Sequence, residues 1–251
     1  MGGAMLKGWV KAGGNTLTAT AASEATLDRI RLECPSVKTS RDNVAAIRGA
    51  EVIVLAVKPW KVAEVAAEIK EAVDFRHQII ISVAANISPS ELCGFFSCPS
   101  ARVFYAMPNI AAEYRQSMTL LTAGEGVEEA DMAIAEQLLR QLGKVMRCNG
   151  QQLSAGNMLS GCGIAYIMRF LHAMTEGGVE MGLYPNDARA IALQAMKGAV
   201  SLLEESGMHP AVAIDKVTTP GGLTIRGLNE LDHAGFNSAV IRCLKAGLID
   251  K

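Results

Sequence analysis

Along roughly the first 150 residues, short apolar runs alternate with longer stretches in which apolar residues recur every three or four positions. The runs at 17–21, 52–57, 79–83 and 103–106 are rich in Val, Ile, Thr and aromatics, and helical spacing occupies 24–33, 60–73 and 89–96. Runs that are apolar at successive positions suit strands buried on both faces, and their alternation with helices predicts βαβ units around a largely parallel sheet. A further run at 118–122, a helix over about 128–142 closed by Gly143, and an edge strand at 144–147 bring this part to an end near Gly150. Beyond 151 the strand signal stops, and helical periodicity takes over at 164–181, 185–206, 210–217 and 236–246. The expected fold is therefore α/β: a Rossmann-like, doubly wound, mostly parallel sheet domain over 1–150, followed by an all-helical domain over 151–251. Within the latter, 190–203 (AIALQAMKGAVSLL) is apolar around most of its circumference, which fits either a core helix or a dimer contact.

Composition narrows the chemistry. Half of the 251 residues are hydrophobic, the formal net charge is -1 and aromatics make up only 5%, so neither nucleic acid nor an anionic membrane is an expected partner. A small-molecule substrate is the natural alternative. The six cysteines form no CxxC pair and have no histidine at zinc-ligand spacing, which favours reduced thiols, no metal site and a cytoplasmic location. The apolar runs are far shorter than the ~20 residues needed to span a bilayer, and the N-terminus has no signal-peptide succession. The four histidines stand in no recognisable relation to a nucleophile, so hydrolase chemistry is not supported.

Ligands of open α/β sheets bind at the carboxyl ends of the strands, and three successive strands deliver small or proline-stiffened turns there. These are Ala56-Val57-Lys58-Pro59, Ser82-Val83-Ala84-Ala85 and Met107-Pro108-Asn109. Gly2, in Met1-Gly2-Gly3-Ala4-Met5, is placed as the third glycine of a dinucleotide fingerprint, whose first strand and two earlier glycines are absent from this sequence. The natural protein is therefore expected to extend upstream. After the 17–21 strand, Thr20-Ala21-Ala22-Ser23 carries no acid to grip both ribose hydroxyls, which favours NADP over NAD. Ser23 and Thr20 could bond a 2′-phosphate, with Arg29 within reach, although Ser23 serves equally as a helix N-cap. In the helical half, Ser160 precedes a long helix among glycines, and Thr219-Pro220-Gly221-Gly222-Leu223-Thr224 joins two helices. A Pro-Gly-Gly turn leaves amides free at a helix start, where a carboxylate meets hydrogen bonds and the helix dipole. Thr224 is either the cap of the following helix or a hydroxyl offered to substrate.

Taken in order, these pieces resemble the pyrroline-5-carboxylate reductase family across nearly the whole chain. The matching segments are Gly2-Gly3-Ala4-Met5, Ala56-Val57-Lys58-Pro59, 102–109 (RVFYAMPN), 160–166 (SGCGIAY), 177–183 (GGVEMGL) and 217–228 (VTTPGGLTIRGL). The resemblance implies reduction of 1-pyrroline-5-carboxylate to L-proline by hydride from NADPH, with NADH admitted. It implies cofactor contacts at Gly2, Ser23, Ala56, Val57, Lys58, Pro59, Ala84, Met107, Pro108 and Asn109. It also implies substrate contacts at Ser160, Gly221, Gly222, Leu223 and Thr224, with Thr224 serving the ring nitrogen. In related enzymes that last loop comes from the partner subunit of an interlocked dimer, so a homodimer or an oligomer of dimers is expected. Asn86, Cys162 and Ile164 depart from the family's usual glycine, serine and proline. Two other readings remain: a non-catalytic or truncated module of the same fold, and another imine or hydroxyacid reductase. Against the latter, no lysine here has both a glycine four residues before it and an asparagine four residues after it, as the G-x-x-x-K-x-x-x-N helix of hydroxyacid dehydrogenases requires.

Overall fold

The computed structural model describes residues 1–248, which form two compact units that divide between Gly161 and Cys162. The first unit runs α1 (Gly2–Ala12), β1 (Thr18–Thr20), α2 (Glu24–Glu33), β2 (Lys38–Ser40), α3 (Asn43–Ile47), β3 (Val52–Leu55), α4 (Val62–Ile69), β4 (Ile79–Ser82), α5 (Pro89–Phe96) and β5 (Val103–Met107). It continues with β6 (Ser117–Ala123), α6 (Glu129–Arg140), β7 (Gly143–Arg147) and α7 (Gly150–Asn157). Strands β1 and β2 form a parallel pair, and β3-β4-β5-β6-β7 form a five-stranded sheet that is parallel except between β5 and β6.

Alternation along β4 explains why helices cover both faces of that sheet. Ile80 joins one core with Ile53 and Leu55 of β3, Val62, Ala66 and Ile69 of α4, and Leu92 and Phe96 of α5. Its neighbours Ile79 and Ile81 point the other way, into a core with Met5 and Trp9 of α1, Phe104 of β5, and Ala135 and Leu139 of α6. At ~25 cal/mol per Å² of apolar surface, the burial of these side chains on both faces is the main source of stability for the unit. Ser88 starts α5 with a reciprocal capping box, its hydroxyl accepting from the Glu91 amide at 3.2 Å while Glu91 returns a carboxylate to the Ser88 amide at 2.8 Å. The start of β5 is tied to α6 by Arg102 and Asp131, 2.7 Å apart with the Asp131 side chain only 8% exposed.

Several boundaries differ from the sequence pattern for identifiable reasons. The stretch predicted as one helix over 60–73 opens with a tight 3₁₀ turn at Pro59–Lys61, where Pro59 has no amide to donate, and ends at Ile69. Gly143 does not close α6, which ends at Arg140; it opens β7, with φ 141°, so close to the Ser117 backbone that no Cβ fits. Strand β2 and helix α3 went unpredicted because Lys-Thr-Ser has no apolar run and α3 is a five-residue helix.

The second unit is all helix: α8 (Gly163–Glu180), α9 (Pro185–Ser206), α10 (Pro210–Lys216), α11 (Leu223–His233) and α12 (Phe236–Ala246). Helices α8 and α9 cross where Gly178 faces Ala188, and a Cβ on Gly178 would sit 2.8 Å from the Ala188 methyl. Phe170 of α8 packs on Phe236 of α12 with ring centroids 5.7 Å apart. Among the described residues no helix is long and apolar enough to cross a membrane.

Candidate functional site

The register pairs Thr20 with Ser40, Leu55 with Ser82, and Ser82 with Tyr105, so β1 ends level with β2 and β3 with β4, while β5 runs two residues further to Met107. The turns that follow them form the rim expected from the sequence. Gly2, the first residue of α1, lies against the end of β3; a Cβ there would come 2.9 Å from the Ala56 Cβ. This is the close helix–strand approach that the third glycine of a dinucleotide fingerprint provides. Ala56, Val57 and Lys58 are exposed at the rim, Pro59 is half-buried, and the Lys58 ammonium lies 5.9 Å from the centre of the exposed Trp60 ring. Such a cation–π contact limits the wandering of a lysine that would otherwise sweep the turn.

After β4, Ala84 is buried and its amide donates to Ser82 Oγ at 3.3 Å, which leaves Ala85 and Asn86 as the exposed tip. Asn86 has φ 61°, in the left-handed region that asparagine tolerates best after glycine. This accounts for asparagine at a position where glycine is usual. Burial in β5 pushes the Tyr105 phenol above its ordinary value, an effect the Asn86 backbone only partly offsets.

After β5, Met107 is half-buried, whereas Pro108 and Asn109 lie beneath the surface. Asn109 is a joint. Its amide donates to Ser117 Oγ at 3.1 Å, its Oδ1 accepts from the Ala111 amide at 3.0 Å, and its Nδ2 donates to the Ser160 carbonyl at 3.0 Å. Ser160 belongs to a π-helical turn, Met158–Cys162, a wider backbone form that concentrates at functional sites. Its hydroxyl is buried without a partner among the described residues. An unsatisfied buried hydroxyl costs about 1–3 kcal/mol, so a bound group that engages it gains correspondingly.

Ser23 adopts the capping role, accepting from the Thr26 amide at 3.3 Å and sharing a 2.9 Å bond with the Thr26 hydroxyl. Arg29 lies on α2, and the cation that reaches this loop is a different one, Arg41. Its Nη2 donates to the Ala22 carbonyl at 3.1 Å. Sequence reasoning missed Arg41 because it follows β2, the strand with no apolar signature.

In the second unit, the turn between α10 and α11 is exposed. Gly221 has φ 69°, and the Gly222 amide donates to the Thr219 carbonyl at 3.0 Å, closing the turn. A side chain at Gly222 would strike Thr219. Gly222, not Thr224, is the N-cap of α11, so Thr224 stands as the second helical residue with its side chain exposed. First-turn amides have no intrahelical partner, and among the described residues those of Gly221, Leu223 and Thr224 donate to no other protein group. Three open donors, a free hydroxyl and a helix N-terminus thus converge on one exposed turn, an arrangement suited to a small carboxylate.

A largely parallel sheet with small-residue turns at its carboxyl edge, a helix packed closely on it at Gly2 and an all-helical unit are the parts of a dinucleotide-dependent oxidoreductase. Comparison with known proteins refines this. Residues 150–249 match the family described as Pyrroline-5-carboxylate reductase dimerisation, and residues 1–86 the family described as NADP oxidoreductase coenzyme F420-dependent. The chain is 35% identical over 210 residues to the pyrroline-5-carboxylate reductase of Synechocystis sp., covering 84% of this chain and 77% of that one. It is 33% identical over 256 residues to pyrroline-5-carboxylate reductase 1 of Dictyostelium discoideum, covering 96% of this chain but only 46% of that longer protein. The crystal structure of the Plasmodium falciparum pyrroline carboxylate reductase with NADP bound shares the fold, with a TM-score of 0.86 at 22% identity over 98% of this chain and 91% of that one. The chain belongs to the pyrroline-5-carboxylate reductase family.

Proposed function

We propose that this chain reduces 1-pyrroline-5-carboxylate to L-proline with NADPH as the hydride donor. The observation that carries the reading is the exposed turn at 219–224, whose open amides at Gly221, Leu223 and Thr224 suit the substrate's carboxylate. In this reading 1–150 serve as the dinucleotide domain and 151–251 as the substrate and dimerisation domain. A bound reduced nicotinamide supplies the hydride that adds to the imine carbon.

The protein's own part is orientation and charge. The three amides and the dipole of α11 hold the carboxylate, and Gly222 contributes its lack of a side chain, since its amide already closes the turn. The Thr224 hydroxyl donates to the ring nitrogen, whose basicity rises as hydride arrives at the adjacent carbon, so this bond strengthens toward the transition state. The reaction needs no covalent nucleophile. On the cofactor side, Gly2 lets α1 bring its first-turn amides to the rim, while Ala56, Val57, Lys58 and Pro59 line it. Ala84, Met107, Pro108 and Asn109 support it from below, and Ser23 fixes the start of α2. The absence of an acid at 21–23 favours NADPH, with NADH as the weaker donor. We further place the enzyme in the cytoplasm as a homodimer, in keeping with the dimerisation match at 150–249.

The test is oxidation of NADPH followed by absorbance with pyrroline-5-carboxylate as substrate, and identification of proline as product. Turnover supports the reading. Tight NADPH binding without turnover would instead make the chain a non-catalytic module.

A further inference from the structure

We propose that Arg41 is the residue that selects NADPH, by gripping the 2′-phosphate of its adenosine ribose; this deepens the function proposed above and rests on it. The argument starts from register. Thr20 pairs with Ser40, so the turn Ala21-Ala22-Ser23 after β1 and Arg41 after β2 leave the sheet side by side. The guanidinium spans the two turns, with Nη2 on the Ala22 carbonyl at 3.1 Å.

The backbone carrying Arg41 is fixed on its C-terminal side. Ser40 Oγ accepts from the Asp42 amide at 3.0 Å, and Asp42 caps α3 through the Ala45 amide at 2.8 Å. That bond turns the nearest carboxylate to a helix end. The acids at the start of α2 are likewise engaged: Glu24 and Asp28 each lie 2.7 Å from Arg31 Nη1. Arg31 is thereby neutralised, whereas Arg41 has no carboxylate partner among the described residues. One of its N–H groups holds the loop, and the rest of the fork is exposed and open.

An uncompensated guanidinium anchored to an acid-free loop at the end of the second of two parallel strands matches the chemistry of a ribose phosphate. Guanidinium binds phosphate through paired hydrogen bonds and full charge, and a ribose 2′-hydroxyl offers it neither charge nor a second acceptor. With a second phosphate pKa near ~6, the added charge approaches two negatives at neutral pH, and the preference for the phosphorylated cofactor should grow as pH rises through that range. Because Arg41 is exposed, the preference should also weaken with added salt.

The experiment compares the unmodified full chain with Arg41→Ala and Arg41→Lys, using two readouts. In steady-state kinetics, Arg41→Ala should raise KM for NADPH about tenfold and leave KM for NADH and both kcat values within about twofold, while Arg41→Lys recovers part of the loss as a point charge without the fork. In calorimetry, which needs no catalysis, the unmodified chain should bind 2′,5′-ADP about tenfold more tightly than 5′-AMP, and Arg41→Ala should abolish that difference. Equal losses for NADPH and NADH, or no loss for either, would overturn the assignment, as would equal binding of 2′,5′-ADP and 5′-AMP by the unmodified chain. A chain that discriminates between the two nucleotides in the calorimeter yet turns over no pyrroline-5-carboxylate would refute the proposed reaction and leave the role of Arg41 standing.

Discussion

Thr224 occupies the second position of α11 with Gly222 as the cap, so its hydroxyl is not needed to start the helix. A substitution there therefore separates chemistry from stability. Thr224→Ala should lower kcat about 10- to 100-fold, as expected for one lost hydrogen bond worth ~1.5–3 kcal/mol in the transition state, with thermal stability unchanged. Unaltered kcat would remove Thr224 from the reaction. Asn86 presents the opposite case, a residue whose backbone is the point. With φ 61°, Asn86→Gly should be tolerated without loss, whereas Asn86→Ala should cost ~1 kcal/mol, because alanine keeps the Cβ that crowds the carbonyl in the left-handed region but loses the short polar side chain that offsets it locally. Urea denaturation of the two variants measures that contrast, and equal midpoints would show that the turn relaxes. Both residues were visible in the sequence, Thr224 as a hydroxyl beside Pro-Gly-Gly and Asn86 as a departure from glycine. Their conformational roles were not, because a cap and a left-handed turn are set by the paths of neighbouring segments.

Legibility at the level of elements follows the apolar signal. Helices α2, α5, α9 and α12 begin and end where the pattern sets them, since each carries its own start or stop: Ser23, the Ser88 box, Pro185 and Gly247. The short polar strand β2 carries no such mark, and with it went Arg41. Nor does spacing announce the π turn at Met158–Cys162, although Ser160 within it was singled out. Pairing between elements also escapes a one-dimensional reading, and the contact between β7 and α6 shows how. Arg147 of β7 lies 2.6 Å from Glu129 and 2.7 Å from Glu136, both on α6. Hydrogen bonding from Arg147 is the largest influence on both carboxyls and holds them below their ordinary value of 4.5. A depressed folded value means the contribution to stability is complete above about pH 4.5 and fades as pH falls through the lower folded values. Arg147→Ala should therefore flatten the acid side of the stability profile while changing little at low pH, where both carboxyls are protonated. Urea midpoints collected from pH 3 to 7 test this, and parallel profiles for the two proteins would refute it.

At the scale of the molecule, the second unit leaves several large apolar side chains exposed. Ile167 and Met168 on α8, Ile191 and Val200 on α9, and Ile241 on α12 are each more than half exposed. Large apolar side chains left exposed on three helices of one unit suit an association surface. Gly178 already lies so close to Ala188 that no Cβ fits there, so tightening that crossing cannot bury the outward side chains. In the dimer proposed above, a second copy would cover them, since a two-fold interface offers each patch its own complement. The unmodified chain should then sediment as a dimer or larger at micromolar concentration, and the double variant Ile191→Glu, Val200→Glu should shift it toward monomer, since charges placed in an apolar contact must be desolvated to associate. Circular dichroism distinguishes dissociation from unfolding: retained helicity with a smaller particle supports the interface, and a monomeric unmodified chain would refute it. If the interface also completes the enzyme, specific activity should fall on dilution in parallel with the dimer fraction. An activity independent of concentration down to the monomer range would show that each copy carries a full site and that association serves stability alone.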